Sequence, residues 1–247
     1  MKVARGLKEN ASQREVTILI PAYRESELIA ATLGRIVEAF RSAQIQFEIL
    51  VVVDDVPGDQ TGMRVAEAAE KFREILVLER KGRRGVGDAI RVGVESARGD
   101  SVIIVMGDQS EEPQDIVRLA KMARSYDVVF TNRFKAGRPS SYPLRKYLAN
   151  RMCNIPARYL FGTPYYDITN AFKAYRRNII ADLDLTSKGF EIFLELPLKA
   201  LRRAHTSTEV DVEHRVMKRK VAKLSLTRDG YRYVTLMFSL LHHFYGS

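Results

Sequence analysis

Acidic and glycine residues recur at the ends of apolar segments in the first half of the chain. Asp54 and Asp55 follow one segment, Asp108 follows another, and a glycine-rich stretch at residues 82–87 leads into Asp88. Carboxylate oxygens are the ligands that Mg²⁺ and other hard cations prefer, and glycine-rich loops can approach phosphate closely. These residue types indicate a site for a diphosphate and a divalent cation, Mg²⁺ or Mn²⁺. The carboxylate of Asp108 would suffice as the protein ligand, because water and phosphate oxygens complete the coordination shell.

For these residues to meet, the apolar segments must be strands of one sheet. Strands are predicted at residues 16–21, 47–53, 75–78, 101–106 and 127–131, with amphipathic helical stretches between them. Repeated strand–helix units form a parallel sheet with helices on both faces, and such sheets bind ligands at the carboxyl ends of their strands. The sequence therefore predicts an α/β fold in which the polar loops share one rim.

Several of the same residues also have ordinary structural explanations. Asp54 and Asp55 precede a Pro-Gly pair and suit a turn, and Thr61 is typical of a helix N-cap. Asp108 could cap the helix that follows it, and Glu111, with its neighbour Glu112, is interpreted as a first-turn charge favoured by the helix dipole. The convergence of several loops on one rim favours the binding interpretation, since independent caps need not share an edge.

The second half of the chain is more basic and less regular. Residues 144–160 and 190–201 predict helices, whereas residues 167–175 and 208–212 predict strands. The chain shows no internal repeat and no low-complexity linker. We therefore predict three regions, which are a flexible tail at 1–14, one domain at 15–225 and an amphipathic helix at 226–247, which is a candidate for a membrane-proximal position.

Composition narrows the class of partner. The formal net charge is +10, which predicts attraction to something anionic. A nucleic-acid binder typically shows a continuous basic stripe and no acidic rim, so nucleic acid is not an expected partner.

The single cysteine, Cys153, excludes an intramolecular disulfide and fits a reducing cytoplasm. No apolar run reaches the roughly 18 residues of a membrane span. A basic, non-catalytic module that binds nucleic acid or acidic lipid is the alternative of another class.

A series of short motifs runs in order along the chain. They are PAYRE at 21–25, an Asp-Asp pair at 54–55 with Thr61, GVGDA at 85–89 with later glycines, MGDQSEEP at 106–113, TNRF at 131–134, DITNAFK at 167–173 and GFE at 189–191. Over roughly residues 15–225, this order resembles the large inverting glycosyltransferase family, family 2, that contains dolichol-phosphate mannosyltransferases and undecaprenyl-phosphate sugar transferases.

The resemblance implies the GT-A fold, a Rossmann-like, mostly parallel sheet flanked by helices. It also implies a nucleotide-sugar donor (GDP-mannose or a UDP-hexose), a divalent metal at Asp108 and a polyprenyl phosphate acceptor. The residues expected at the donor nucleotide are Pro21, Tyr23, Glu25, Asp54, Asp55, Gly85 and Asp88. Those expected at the acceptor phosphate are Arg133, Arg215, Arg219 and Lys223. Three departures from the family pattern stand out. Met106 replaces the usual first aspartate of the metal motif, and Arg24 replaces the usual asparagine. The family's closing Arg-x-x-Gly-x-Ser-Lys motif is incomplete: Lys223 aligns with its lysine, and either Arg215 or Arg219 takes the place of its arginine.

The expected reaction is one in-line displacement at the anomeric carbon of the sugar. A lipid phosphate, with a second pKa of about 6, is already ionised at neutral pH and needs no strong base. A soluble or glycan hydroxyl is the alternative acceptor and would need a catalytic carboxylate, for which Asp167 and Glu191 are the candidates. A lipid acceptor and the positive charge together predict peripheral attachment to the anionic, cytoplasmic membrane face.

Overall fold

The computed structural model describes residues 2–3, 14–82, 84–135, 137–139, 142–213 and 226–245, with only the backbone described for 2–3 and 226–229. Its centre is an eight-stranded sheet in the order β1-β4-β3-β2-β5-β7-β6-β8. The strands are β1 (Lys2–Val3), β2 (Val16–Ala22), β3 (Phe47–Asp55), β4 (Ile75–Lys81), β5 (Ser101–Ile104), β6 (Val128–Asn132), β7 (Lys173–Arg176) and β8 (Ser207–Asp211).

The four strands β4-β3-β2-β5 run parallel and form one half of the sheet. The other half contains the antiparallel strand β7, which pairs with β5 on one side and β6 on the other, while β8 lies parallel to β6. The predicted α/β class and mostly parallel sheet are confirmed. Because β5 and β6 both run against β7, their carboxyl ends lie at the same edge of the sheet.

Helices cover both faces of the sheet. They are α1 (Ile29–Ser42), α2 (Thr61–Lys71), α3 (Val86–Ser96), α4 (Pro113–Met122), α5 (Leu144–Leu160), α6 (Arg177–Ile180), α7 (Ile192–Arg203) and α8 (Leu226–Tyr245). Apolar residues of α1, α2 and α4 pack on one face, and those of α3, α7 and α8 pack on the other. Burial on both faces explains why β2 and β3 are continuous apolar runs rather than alternating ones.

Three local expectations are corrected. The strand predicted at 167–175 is confined to Lys173–Arg176, because the preceding segment hydrogen-bonds through its side chains instead of through a ladder. Thr61 is the first residue of α2 and not its cap, and its hydroxyl binds the loop after β2. Glu111 precedes α4, which begins at Pro113, so it is not a first-turn charge.

The two terminal regions are only partly covered. Residues 2–3 pair with β4, and the rest of the predicted tail, apart from residue 14, lies outside the described residues. The C-terminal helix α8 packs against α5 and α7. Within the described ranges, no helix is both long enough and apolar enough to cross a membrane.

Candidate active site

The loops after β2, β3 and β5 meet at one rim of the sheet. The backbone N–H of Glu25, after β2, donates to the Thr61 hydroxyl at 2.9 Å, and that of Arg24 donates to Asp59 at 2.8 Å. On the other side, a Cβ built on Gly107 would lie 3.4 Å from the Cγ of Glu25. Since β3 and β5 flank β2, the segments that carry Asp54 and Asp108 end at the same edge.

Three residues expected at the donor converge on Arg80, at the end of β4. Its guanidinium donates to the carboxylate of Asp54, to an oxygen of Asp88 at 2.9 Å and to the carbonyl oxygen of Gly85 at 3.2 Å. The backbone N–H of Arg84 donates to the second oxygen of Asp54 at 3.3 Å. The carboxylate of Asp54 is therefore fixed on the rim by hydrogen bonds from Arg80 and Arg84, and Asp54 is not merely a turn residue.

The glycine loop is shaped by close backbone packing. Gly85 has φ +92°, a region that favours glycine, and an added Cβ would lie 2.3 Å from the carbonyl oxygen of Lys188. A Cβ on Gly87 would lie 2.2 Å from the carbonyl oxygen of Ser187. These glycines therefore bring the segment before α7 onto the rim. In that segment, Glu191 accepts a hydrogen bond from the N–H of Gly189 at 2.9 Å.

Asp108 lies in a tight turn after β5 and is 5% exposed. Its Oδ1 accepts hydrogen bonds from both the N–H and the hydroxyl of Ser110, which fix the orientation of the carboxylate. The described part of the chain holds no group of three or more His, Cys, Asp or Glu side chains that could bind a metal. The donor set here fits Mg²⁺ or Mn²⁺ only where a single carboxylate is supplemented by phosphate and water oxygens, which is a usual arrangement for Mg²⁺.

Glu111, next to Ser110, is a buried carboxyl group. Burial raises its pKa to about 7, an effect that a hydrogen bond from Ser110 and the charge of Arg133 only partly offset. Its Oε2 has no hydrogen-bond partner within the residues described. The uncharged form of Glu111 therefore contributes at neutral pH, unlike the first-turn charge expected from the sequence.

Arg133 and Asp167 form a buried, bidentate pair at the opposite end of this rim. The Nε and Nη2 atoms of Arg133 lie 2.7 and 3.0 Å from the two carboxylate oxygens, and its backbone N–H also donates to Asp167. Burial alone would raise the pKa of Asp167, but the charge and hydrogen bonds of Arg133 lower it overall. A carboxylate with a lowered pKa and both oxygens engaged is a weak base.

Further polar side chains support this pair. Asn150 of α5 donates to Asp167 at 3.1 Å, and Asn154, one turn later, bonds the hydroxyl and the N–H of Thr169. Lys173 of β7 is fully buried, donates to the carbonyl oxygen of Asn170 and lies over the ring of Phe130. Burial lowers the pKa of Lys173 to about 7 against the attraction of Asp167.

The rim thus unites most of the residues singled out from the sequence. Pro21 is buried near the end of β2, and Tyr23 and Glu25 follow that strand. Asp55 is exposed next to Asp54, and Arg133 is hydrogen-bonded to Asp167. Arg215, Arg219 and Lys223 lie outside the described residues. Sequence reasoning missed Arg80 and Lys173. The signal for Arg80 was the parallel register of β3 and β4, which places it directly opposite Asp54.

Residues 17–184 match the sequence profile of Glycosyl transferase family 2, which covers more than half of the chain. The chain belongs to glycosyl transferase family 2. It is a glycosyltransferase, and the family inferred from its motifs is confirmed. The family domain contains every donor-side residue discussed above, together with Arg133 and Asp167.

Similar proteins include the polyprenol monophosphomannose synthase of Mycolicibacterium smegmatis. It is 29% identical over 217 residues, which cover 84% of this chain and 80% of that protein. The undecaprenyl-phosphate mannosyltransferase of Micrococcus luteus is 29% identical over 206 residues, covering 80% and 82%. The undecaprenyl-phosphate 4-deoxy-4-formamido-L-arabinose transferase of Yersinia pestis is 29% identical over 233 residues, covering 94% and 68%.

Solved structures agree on the fold. Glucosyl-3-phosphoglycerate synthase from Mycobacterium tuberculosis, in complex with UDP, has a TM-score of 0.67 and 15% identity, covering 92% of this chain and 80% of that one. The same enzyme with Mn²⁺, UDP-glucose and phosphoglyceric acid gives the same values. At this identity the likeness shows the fold alone, which is the GT-A fold expected from the motifs.

Proposed function

We propose that this glycosyltransferase moves a hexosyl group from a nucleoside diphosphate sugar to a polyprenyl phosphate, with inversion at the anomeric carbon. The observation that carries the proposal is one rim with two functional ends. The end of β3, with Asp54, and the turn after β5, with Asp108, form one end, and the Arg133–Asp167 pair forms the other. Relatives named for polyprenol and undecaprenyl phosphate support the choice of acceptor.

On the donor side, Asp108 is the protein ligand of Mg²⁺ or Mn²⁺. The cation, when bound, stabilises the negative charge that develops on the diphosphate leaving group. The nucleotide lies along the loops after β2, β3 and β4. Its expected contacts are Pro21, Tyr23, Glu25, Asp54, Asp55, Gly85 and Asp88. Because Asp54 and Asp88 are already held by Arg80, this side is preorganised and costs little ordering when donor binds.

On the acceptor side, Arg133 binds the phosphate. Two of its five N–H donors go to Asp167, which leaves the rest of the guanidinium for a phosphate oxygen. Asp167 positions Arg133 instead of removing a proton, since both its oxygens are engaged and its pKa is lowered. Arg215, Arg219 and Lys223 are proposed as further phosphate contacts.

The chemical step needs only positioning and charge compensation. A phosphate oxygen of the acceptor forms a bond to the anomeric carbon, while the bond from that carbon to the donor's β-phosphate oxygen breaks. The electron pair leaves with the nucleoside diphosphate. Because the acceptor phosphate is largely dianionic at neutral pH, no general base is required.

Two neighbouring helices offer a surface for the membrane that holds such an acceptor. Apolar side chains lie exposed at helical spacing on α5, namely Leu144, Leu148, Met152, Ile155 and Tyr159, and on α8, namely Tyr231, Val234, Phe238 and Tyr245. The helices touch through Phe161, next to the end of α5, and Phe244, whose ring centroids lie 5.6 Å apart. Because the chain also carries a net charge of +10, we propose that this surface binds peripherally to the anionic cytoplasmic leaflet.

A transfer assay tests the proposal. Purified protein is given UDP-glucose or GDP-mannose, Mn²⁺ and undecaprenyl phosphate in anionic vesicles, and lipid-linked sugar is measured. We expect product with at least one donor and loss of product in EDTA. Transfer to a free glycan hydroxyl and not to lipid phosphate would move Glu191 into the role of base and refute the lipid acceptor. Tight binding to short DNA, with no transfer at all, would favour a basic binding module.

A further inference from the structure

Arg80 is a buried arginine with three acceptors from three different parts of the donor side. Its side chain is 6% exposed. One guanidinium serves Asp54 at the end of β3, the Gly85 carbonyl in the glycine loop and Asp88 in the first turn of α3. The parallel register of β3 and β4 places Arg80 directly beside Asp54, so the contact follows from the sheet itself.

The geometry is one that only an arginine can supply. Two carboxylates meet the two terminal nitrogens of one planar fork, which a lysine, with a single nitrogen, cannot reproduce. The Nε of Arg80 is buried and has no hydrogen-bond partner in the described ranges. The guanidinium is therefore oriented toward the two carboxylates, although this leaves one of its own N–H donors without an acceptor. Removing Arg80 would leave Asp54 buried without its cation and Asp88 with one cation fewer.

The network continues from Arg80 to the segment before α7. Asp88 also binds Arg91, and the Nη1 of Arg91 donates to the carbonyl oxygen of Leu185 at 3.1 Å. A few residues later, the backbone of Ser187 and Lys188 lies against the two glycines of the loop. One run of alternating charges therefore connects β3, the glycine loop and the entry to α7.

We infer that Arg80 is the positioning residue of the donor site, which sets Asp54 and the glycine loop to receive the nucleoside part of the donor. This inference rests on the proposed function, because it takes Asp54 as a nucleoside contact. Arg80 contacts the side chains of Asp54 and Asp88, and its role in this proposal is to position them rather than to act on the reacting atoms. Substitution of Arg80 should therefore weaken nucleotide binding without weakening metal binding at Asp108.

The test compares Arg80→Lys with Arg14→Lys. Arg14 lies 3.0 Å from Glu48, a fully buried carboxylate near the start of the same strand β3, at the edge of the sheet opposite the rim. Each substitution keeps the positive charge and removes an arginine–carboxylate pair of β3. Arg14 is more exposed than Arg80, at 23% against 6%, and has one carboxylate partner instead of two, so the Tm of each variant is measured beside its affinity to account for the structural cost.

Affinities for UDP and GDP with Mg²⁺, and for UMP and GMP, are measured by calorimetry. For the nucleotide that wild type prefers, Arg80→Lys should weaken the diphosphate and the monophosphate by the same factor of about ten, roughly one charge-assisted hydrogen bond. Arg14→Lys should leave both within about twofold of wild type. Equal losses in the two variants would make Arg80 merely structural and overturn the inference.

A second variant covers the case in which Arg80→Lys does not fold. Asp88→Asn keeps the pair of Arg80 with Asp54 and removes one anion from the fork. We expect nucleotide affinity to fall about threefold, and wild-type affinity in this variant would overturn the inference. If wild-type protein binds neither nucleotide, the proposed function falls and takes this assignment with it, whereas tight wild-type binding with equal losses in the lysine variants refutes the assignment alone.

Discussion

The donor and acceptor ends of the rim neutralise their charges in different ways. At the donor end, Asp54 at the end of β3 and Asp88 in the first turn of α3 share the buried guanidinium of Arg80. At the acceptor end, Asp167 and Lys173 are fully buried, Arg133 is 12% exposed, and all three come from segments that the antiparallel strand β7 brings together. One arginine thus serves two carboxylates at the donor end, whereas one carboxylate accepts from two nitrogens of an arginine at the acceptor end.

This difference predicts how much activity and how much stability a substitution should remove at each end. A carboxylate such as Asp108, which is oriented by hydrogen bonds from Ser110 in a turn, can be lost with little effect on folding. A buried ion pair cannot, because removing one partner leaves an uncompensated charge in a low-dielectric interior. Substitution of Asp108 should therefore reduce activity more than stability, whereas removing one partner of the Arg133–Asp167 or Arg80–Asp54 pair should reduce both.

The largest expected effect is that of Asp108→Ala at the donor end. Loss of the metal ligand should reduce the rate of sugar transfer by about 10³-fold or more, because the charge on the leaving diphosphate is no longer stabilised. The Tm should stay close to that of wild type, as measured by thermal unfolding without ligand. Transfer at more than about a tenth of the wild-type rate would refute the role of Asp108 in metal binding.

At the acceptor end, Asp167→Asn should lower the free energy of unfolding by about 3–5 kcal/mol, since Arg133 keeps its charge but loses its buried counterion. Urea unfolding measures the loss. Asp211→Asn is the matched control, because its pair with Lys135, at 2.8 Å, is largely exposed and should be worth less than about 1 kcal/mol. Similar losses in the two variants would contradict the distinction between a buried and an exposed pair.

The pH dependence of stability tests the burial of Glu111, which lies between the donor end and the acceptor end. Its pKa is raised to about 7 in the folded protein from an ordinary 4.5, so the native state holds the proton more tightly. The free energy of unfolding should fall as pH rises from about 4.5 to about 7, by up to about 3 kcal/mol.

Glu111→Gln should remove this fall in stability, as followed by urea unfolding in metal-free buffer across the same pH range. Glu112→Gln removes a carboxylate from the same loop, at a residue that pairs with Arg35, and should retain the fall. A wild-type curve that rises or stays flat through this window would contradict the burial argument for Glu111.

The smallest expected effect concerns membrane binding. Met152→Glu, on the exposed stripe of α5, should weaken binding to anionic vesicles severalfold, about 1 kcal/mol, because it removes an apolar contact and adds a negative charge. Met63→Glu is the control, since Met63 is half exposed on α2, on the other face of the sheet. Vesicle co-sedimentation measures both. Equal weakening would show that net charge, and not the stripe, governs attachment.

The donor end could be predicted from the sequence to a greater extent than the acceptor end. Asp54 and Asp108 follow apolar runs that had to be parallel strands, and the rule for ligand sites in such sheets then placed them on one rim. Gly85 was assigned to phosphate binding, whereas the close approach of Lys188 is what fixes its conformation.

Residues whose partners lie far away in the chain were harder to assign. Asp167 looked like a possible base because the sequence does not reveal that Arg133 occupies both its oxygens. Lys173 appeared only as the last residue of the DITNAFK motif, and Glu111 as a first-turn helix charge. Their burial could not be predicted, since burial is decided by packing and not by residue type. Arg80 stood out among its basic neighbours only once the register of β3 and β4 was known.

The most direct test of the account is calorimetric binding of UDP and GDP to wild-type protein, first with Mg²⁺ and then in EDTA. A rim that holds a diphosphate through one cation at Asp108 predicts binding of at least one nucleotide with Mg²⁺, and its loss in EDTA. Asp108→Asn in Mg²⁺ should behave like wild type in EDTA. Binding that is equally tight with and without the metal, or unchanged in Asp108→Asn, would contradict the account.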